Sequence, residues 1–575
     1  MHRKQGAFIF SFLLLPFFFS ASAGQSTPPA QRTKQVDALF ADFDRKGSPG
    51  CALAVIQDGR ITYQRGYGMA DLDYDTPISP ASVFYIASDS KQFTAFSVAL
   101  LVEQGKVSLD DPVTKYFPEL PKAVYGGVTV GHLIHHTGGV RDYWPLIELA
   151  GDSVDDEVTD DDFIALMARQ KALNFSPGEK YEYSNSGYVL LAILVKRVSG
   201  ESLAEFASAN IFKPLGMTHT FFRDDPSVIV KERATGYGYQ QGGYREHITN
   251  FRLIGDGGLM TTVGDLFLWD QNFYHNRLGK GSPDLVRLVE TVGTLNSGKK
   301  TNYAFGLAVT EYRGLRTITH NGSAFGYKAD MTRFPDQHFS VVCLCNTDAP
   351  KMAPWAFRRQ VADLYLADKL KTETAEVKAA PPQAAANAGA KEAPVRLTEQ
   401  ELARYAGTFR DQTDGEVWKL SAEAGRLVAS VEGITFHLEP LSRTHFHATD
   451  APQPVELYFP ADLSSPPKSV DLQVGSQPRS RLEAFVPWAP TPAELSEYVG
   501  DYYSEELGAA FHIYPAGGGL CVRRKHLNCG VLLPGIKDSF EMGRAKLVFD
   551  RAASGHVAGF RLGDEGANNI QFVKQ

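Results

Sequence analysis

The spacing of apolar side chains changes period several times along the chain, and each change predicts a different element. Cys51 to Ile56 and Ile61 to Arg65 read as strands joined through Asp58-Gly59, a strong two-residue hairpin signal. Phe93, Phe96, Leu100 and Leu101 fall on one stripe and predict a helix over Ser88 to Glu103. A second apolar helix is predicted from Tyr188 to Val198, ending before Gly200, where a left-handed cap is expected. Thr317 to His320, Gly326 to Phe334 and Phe339 to Cys345 return to short β runs with turns between. A sheet whose first and last strands are neighbours, with helices on its faces, accommodates these pieces, so the first unit is α+β.

The pattern breaks between Lys369 and Pro394, where Ala, Pro, Lys and Glu replace the large apolar residues. Such a stretch cannot bury a core and reads as a linker, assigned to residues 369–395. Beyond it, Thr398, Glu401, Leu402, Tyr405, Gly407 and Phe409 recur as Thr491, Glu494, Leu495, Tyr498, Gly500 and Tyr502, at a constant offset of 93 residues. Gly425 and Leu427 recur at that offset as Gly518 and Leu520, which makes coincidence a poor explanation. Each repeat opens with a helical turn and continues as short β runs, predicting two small antiparallel barrels over 396–488 and 489–575. One larger barrel built from both repeats is the alternative.

The N-terminus departs from the rest. Arg3 and Lys4 precede an apolar run from Phe8 to Phe19 that ends at Ala21-Ser22-Ala23. At about 12 residues it is shorter than the roughly 20 a spanning helix needs, so residues 1–23 read as a cleavable signal peptide. A periplasmic or secreted protein is expected, with no transmembrane segment in the mature chain and the first globular domain over 30–368. Composition adds exclusions. The chain of 575 residues is 43% hydrophobic and 22% charged, ordinary for a folded globular protein. A net charge of -8 argues against nucleic acid as a partner, because a phosphate-tracking surface needs clustered Lys and Arg. Five cysteines are too few for a disulfide scaffold, although Cys521 and Cys529 could pair.

Three short segments carry candidate chemistry. In Ser88-Asp89-Ser90-Lys91, a strand-like approach meets a helix start, so Lys91 lies on the same helix face as Ser88 and its amine can reach the hydroxyl. A serine hydroxyl needs a base to become a nucleophile, and a desolvated lysine can be one. Tyr183-Ser184-Asn185 offers a phenol that can shuttle a proton and an amide that can accept from Lys91 and donate to a substrate carbonyl. His320-Asn321-Gly322-Ser323 ends a β run; Gly322 clears a strand edge for substrate, and the amides of Ser323 and Ser88 are candidate oxyanion donors. His132, His135 and His136 lack an acidic partner at ligand spacing, so neither a metal nor another cofactor is expected. Thr159 followed by Asp160 to Asp162 reads as a helix cap rather than a calcium site.

Taken in order, Ser-x-x-Lys, Tyr-Ser-Asn about 95 residues on, and His-x-Gly resemble the signature of the serine β-lactamase and penicillin-binding-protein superfamily, in its class C-like branch. Phe84 to Ser88, His136-Thr137-Gly138-Gly139, Pro214-Leu215-Gly216-Met217 and Gly257 to Thr262 add to the likeness, which covers roughly Val36 to Leu366. The resemblance implies an antiparallel sheet flanked by helices, acylation of Ser88, and a proton relay through Lys91 and Tyr183 whose base the sequence does not assign. Asn185, His320, Gly322 and Ser323 are implied to bind substrate. A histidine where β-lactamases usually keep lysine is similar to the D-aminopeptidases and to a streptomycete DD-carboxypeptidase, and two barrels of about 90 residues are similar to the bacterial D-aminopeptidase arrangement, in which a loop of the last barrel reaches the active site. Pro515 to Gly519 or Arg523 to Asn528 is where such a loop is expected. The leading expectation is a D-amino-acid-directed peptidase or amidase on a small, peptidoglycan-type peptide. An esterase, a β-lactamase and a non-catalytic penicillin- or peptidoglycan-binding protein are the alternatives; oligomeric state is not given by the sequence.

Overall fold

A computed structural model describes residues 29–371 and 397–575, apart from 241–242, 412–415, 432–433, 449, 452–453 and 476–478. The apolar N-terminal run and nearly all of the proposed linker lie outside the described residues. The first unit is built on six antiparallel strands: β1 (Cys51–Gln57), β2 (Arg60–Tyr67), β3 (Ala308–Tyr312), β4 (Leu315–Ala324), β5 (Tyr327–Phe334) and β6 (Phe339–Cys345). Their order is β3-β4-β5-β6-β1-β2, so the first and last strands are neighbours.

Six consecutive residues of β1 are buried, which a strand tolerates only when both faces are covered. Alternation divides them. Cys51, Leu53 and Val55 face a layer formed by helices α1 (Pro29–Leu39) and α5 (Pro354–Tyr365), through Val36, Phe40, Phe357 and Val361. Ala52, Ala54 and Ile56 face the main helical layer, which contains α2 (Lys91–Glu103), α3 (Tyr143–Ala150) and α4 (Asn185–Ser199). Gly200 closes α4 in the left-handed conformation, φ 84°, as its place after the apolar run predicts. Thr159 caps the helix Asp160–Ala168 through a reciprocal capping box with Asp162, which accounts for the acidic run.

The carboxy-terminal part is two closed eight-stranded barrels, not one large one. The offset repeat has a physical basis at each entrance: Thr398 with Glu401, and Thr491 with Glu494, form the same capping box ahead of the first strand. The barrels relate to the first unit differently. Core residues of the second, among them Leu495, Tyr502, Phe511 and Phe572, are continuous with the core of the helical layer, whereas the first barrel closes its own core around Phe409, Trp418 and Phe446. Cys521 and Cys529 are bonded, and a second disulfide, not anticipated from spacing, joins Cys51 to Cys345 across directly opposed positions of β1 and β6. Among the described residues no helix is long and apolar enough to cross a membrane.

Candidate active site

Ser88 sits in a single 3-10 turn, Ala87–Ser90, that leads directly into α2 at Lys91, three residues on. Ala87 has φ 48°, an uncommon conformation for a residue with a side chain, and it turns the chain sharply between the short strand Phe84–Tyr85 and the helix. The free edge of β4 approaches this turn, because β3 pairs with β4 only as far as Thr319. A Cβ on Gly322 would lie 2.1 Å from the Ile86 carbonyl oxygen and 2.9 Å from the Ser88 nitrogen. Gly322 is therefore needed for the strand to meet the backbone of the serine turn.

The Lys91 amine is fully buried and held from three sides. It donates to Asn185 Oδ1 and to the Asp256 carbonyl, both at 2.8 Å, and to Ser88 Oγ at 3.2 Å. Burial draws its pKa down to about 8, against the carboxylates of Asp256 and Asp142, which favour the charged form. The Tyr183 ring lies 4.7 Å from the Lys91 nitrogen, and its hydroxyl is hydrogen-bonded to Ser88. Burial moves the Tyr183 phenol well above its ordinary value, only partly offset by that bond. At neutral pH the site thus holds an amine that readily loses its proton beside a phenol that keeps one.

His320 is one step further back. Its Nδ1 donates to the Asn321 carbonyl at 2.7 Å, which leaves Nε2 to accept from the Tyr303 hydroxyl at 2.8 Å. Burial, reinforced by the Lys91 charge, pushes its pKa down to about 3, so the ring is neutral. A cavity of about 120 Å³ at the serine is lined by Ser88, Asn185 and Ser323 together with Tyr85, Trp144, Asp256 and Gly257. Lys91 and Tyr183 contact Ser88, and the His320 ring lies 6.4 Å from that of Tyr183, but none of the three lines this cavity.

Three supporting residues had no role at the site assigned from sequence. Asp142 accepts from the Asn185 backbone at 2.6 Å and from its Nδ2 at 2.9 Å, which fixes the amide with its oxygen toward Lys91. The Asp142 carboxyl is buried and pushed up to about 6. His136 accepts from the Ser184 nitrogen at 3.1 Å and packs its ring 4.3 Å from that of Tyr183, so it sets the Tyr183-Ser184-Asn185 segment. Asp256 receives Tyr143 Oη at 2.9 Å while its backbone carbonyl holds Lys91. His132 and His135 are engaged elsewhere, in the cap at Thr129 and with the Tyr303 carbonyl, so the three histidines do not converge. Replacing Asp142 with Ala is expected to release the Asn185 amide and lower kcat about 100-fold with a smaller change in KM. A steady-state comparison with Asp142→Asn, which keeps part of the acceptor set, checks this.

The second barrel meets the catalytic unit at one of the two turns expected and reaches nearest to the site through a segment the sequence did not suggest. The turn at Arg524 and Lys525 docks on the carboxy-terminal end of α3, where Arg524 donates to the Leu149 carbonyl at 2.7 Å and Lys525 pairs with Asp152. Pro515 to Gly519 makes no contact with the residues of the serine site. The approach is instead through Gly566, whose carbonyl accepts from the Asp142 nitrogen at 2.7 Å and from Asn174 Nδ2 at 2.9 Å.

The Beta-lactamase family model matches residues 36–364, more than half of the chain, a range that includes Ser88, Lys91, Tyr183, Asn185 and the His320 to Ser323 segment. The chain belongs to the beta-lactamase family. Within it, the sequence is 28% identical to penicillin-binding protein 4* of Bacillus subtilis over 434 residues, covering 72% of this chain and 91% of that protein. It is 29% identical to the D-aminopeptidase of Gluconobacter oxydans over 313 residues, covering 54% of this chain and only 58% of that enzyme. Among solved structures, the octameric penicillin-binding protein homologue from Pyrococcus abyssi aligns with TM-score 0.54 at 23% identity, over 79% of this chain and 99% of that one. The D-amino acid amidase from Ochrobactrum anthropi aligns with TM-score 0.51 at 21% identity, over 59% of this chain and 99% of that one, and both show the shared fold. This beta-lactamase-family chain is consistent with a serine hydrolase related to D-aminopeptidases and penicillin-binding proteins.

Proposed function

We propose that the protein is an exported hydrolase that forms an acyl-enzyme on Ser88 and acts on amide bonds of D-amino-acid-containing peptides. One observation carries the chemistry: the Lys91 amine, drawn down to about 8, stands 3.2 Å from Ser88 Oγ with its remaining protons directed at Asn185 and the Asp256 carbonyl. In its neutral form Lys91 takes the Ser88 proton as Oγ attacks the substrate carbonyl. The amides of Ser88 and Ser323 receive the oxyanion, and the Asn185 amide nitrogen donates to the acyl group. As the carbon–nitrogen bond breaks, the leaving amine takes the Tyr183 phenolic proton, which Lys91 replaces. Water then attacks the ester by the reverse route and restores Ser88.

The similarity to D-aminopeptidases and to penicillin-binding protein 4* supports a D-configured peptide substrate. Neutral His320, in place of a permanent cation, supports a substrate without a carboxylate at that position. The apolar run from Phe8 to Phe19 supports export. The test is intact-protein mass spectrometry of wild type and Ser88→Ala after fluorophosphonate treatment, beside hydrolysis of D-alanyl and L-alanyl p-nitroanilide and a short-chain p-nitrophenyl ester. A Ser88-dependent adduct with preferential D-alanyl turnover is expected. Ester turnover alone would replace the peptidase reading with an esterase, and absence of any adduct on folded protein would remove catalysis at Ser88.

A further inference from the structure

A second, larger cavity of about 370 Å³ shares a wall with the serine pocket. Tyr85 lines both; Gly257 and Ala324 line the serine pocket, and the next residues, Gly258 and Phe325, line the larger space. Its walls include the aromatic rings of Tyr85, Phe251, Phe325 and Tyr327. Two guanidinium groups, Arg223 and Arg233, line it as well.

The arginines are unusually placed for structural residues. Among the described residues neither forms an ion pair, and Arg223 Nε is buried with no acceptor. Arg223 Nη2 donates to the Pro226 carbonyl, and its pKa is lowered by burial and then by the nearby charge of Arg233. A half-buried guanidinium held beside a second one costs stability unless something anionic joins them. The acidic groups nearby offset this only in part: the Asp225 charge favours the Arg223 cation from a distance while its carboxylate accepts from Ser227, Glu246 on the cavity rim is exposed, and Asp71 and Glu232, which line an adjoining space with both arginines, form no ion pair with either. Phe325 adds a second sign of a built site. It occupies a two-residue hairpin turn between β4 and β5 at φ 52°, a conformation that Gly or Asn would adopt at lower cost. There its ring meets those of Tyr85, Trp144 and Phe251 at 5.3 to 5.7 Å, forming the partition between the two spaces.

Given Ser88 as nucleophile, the direction of this cavity fixes which part of a substrate enters it. Tyr183 delivers a proton to the leaving amine, so the leaving group lies on the Tyr183 and His320 side. The acyl group then points the opposite way, past Tyr85, Gly257 and Ala324. We propose that this cavity is the acyl-side subsite and that it takes an acyl group bearing a carboxylate several bonds from the scissile carbonyl, bound by Arg223 and Arg233. This rests on the reading of Ser88 above and narrows its substrates to peptides that are acidic on the acyl side.

Two ester substrates of equal chain length test it: mono-p-nitrophenyl adipate, with a terminal carboxylate, and p-nitrophenyl hexanoate, without one. Wild type is expected to prefer the adipate at least 10-fold in kcat/KM, and Arg233→Gln and Arg223→Gln/Arg233→Gln to lose that preference while turning over hexanoate within about twofold of wild type. Arg233→Lys should keep part of it, which separates loss of charge from loss of packing. Equal turnover of the two esters by wild type, or a preference that survives the double substitution, would overturn the subsite. Titration of Ser88→Ala protein with adipic acid monoanilide and hexananilide reads the subsite without chemistry. Tighter binding of the carboxylated anilide, lost in the arginine variants, would sustain the subsite even if Ser88 proved unreactive, and equal binding would refute it even if Ser88 is acylated.

Discussion

Acylation of Ser88 is expected to fall about 100- to 10,000-fold when Lys91 is replaced by Met, the range that removal of a positioned general base produces. Methionine conserves volume and the buried stem, so the loss reports on the amine. The pH dependence provides the sharper check. Burial lowers the Lys91 pKa to about 8, which means that below pH 8 the resident form is the ammonium and cannot accept the serine proton. In wild type the rate should therefore rise about tenfold per pH unit up to about 8 and level above it. Lys91→Met should lack this inflection. The stability linkage has the matching sign: a lysine that holds its proton less tightly when folded makes the native state relatively more stable as pH rises from about 8 toward its ordinary value of 10.5. Removing it should flatten that rise. A stopped-flow fluorophosphonate labelling series from pH 6 to 9.5 decides the matter; an inflection unchanged in Lys91→Met would reassign the base.

The contact between the second barrel and the catalytic unit should yield the largest stability effect. Arg141 and Glu506 are 1% and 2% exposed and pair at 2.5 Å across the junction. Glu506 also accepts from the nitrogens of Lys171 and Gln571 at 3.0 Å, and Arg141 donates to Gln170 Oε1 at 3.0 Å. Glu506→Ala leaves the Arg141 guanidinium buried without its counter-ion, and a loss of about 3–5 kcal/mol is expected, measured by denaturant unfolding. Arg141 precedes Asp142, the residue that orients Asn185, so the same substitution should reduce turnover of the surviving folded protein. Combining Glu506→Leu with Arg141→Met removes both charges and should recover most of the stability. Failure of the double variant to exceed Glu506→Ala would place the effect in packing rather than in an unpaired charge.

This junction also explains why part of the site was hidden in the sequence. Spacing alone places Lys91 one helical turn from Ser88, because residues three apart share a helix face. Tyr183 and Asn185 were legible for a related reason: they lie at the entry of an apolar helix, α4, whose first residue is Asn185. Nothing local distinguishes Asp142 or Asp256 from other acidic residues. Asp142 acts through a helix 43 positions away from it in the chain, and Asp256 through its backbone carbonyl, a group that every residue carries. His136 was visible as part of a family-like stretch, but its role as acceptor for Ser184 depends on a fold that brings the two segments together. The Arg523 to Asn528 turn was legible as a barrel turn, yet its target on α3 and the nearer approach of Gly566 follow from how the barrel docks.

The sequence by itself determined the elements, the sheet with neighbouring first and last strands, the 93-residue repeat of the β-rich part, and the order of the serine, tyrosine and histidine segments, while two barrels rather than one was decided by the closure of each repeat on itself. Those properties depend on periodicity, capping and short-range spacing, which are written along the chain. The tertiary structure alone decided that Gly322 serves the approach of β4 to the serine turn, that Lys91 is desolvated enough to lose its proton near pH 8, and that Arg223 and Arg233 share a cavity with no ion pair to either among the described residues. Each of these is set by what surrounds a group in space, and burial and charge proximity arise only when distant segments pack.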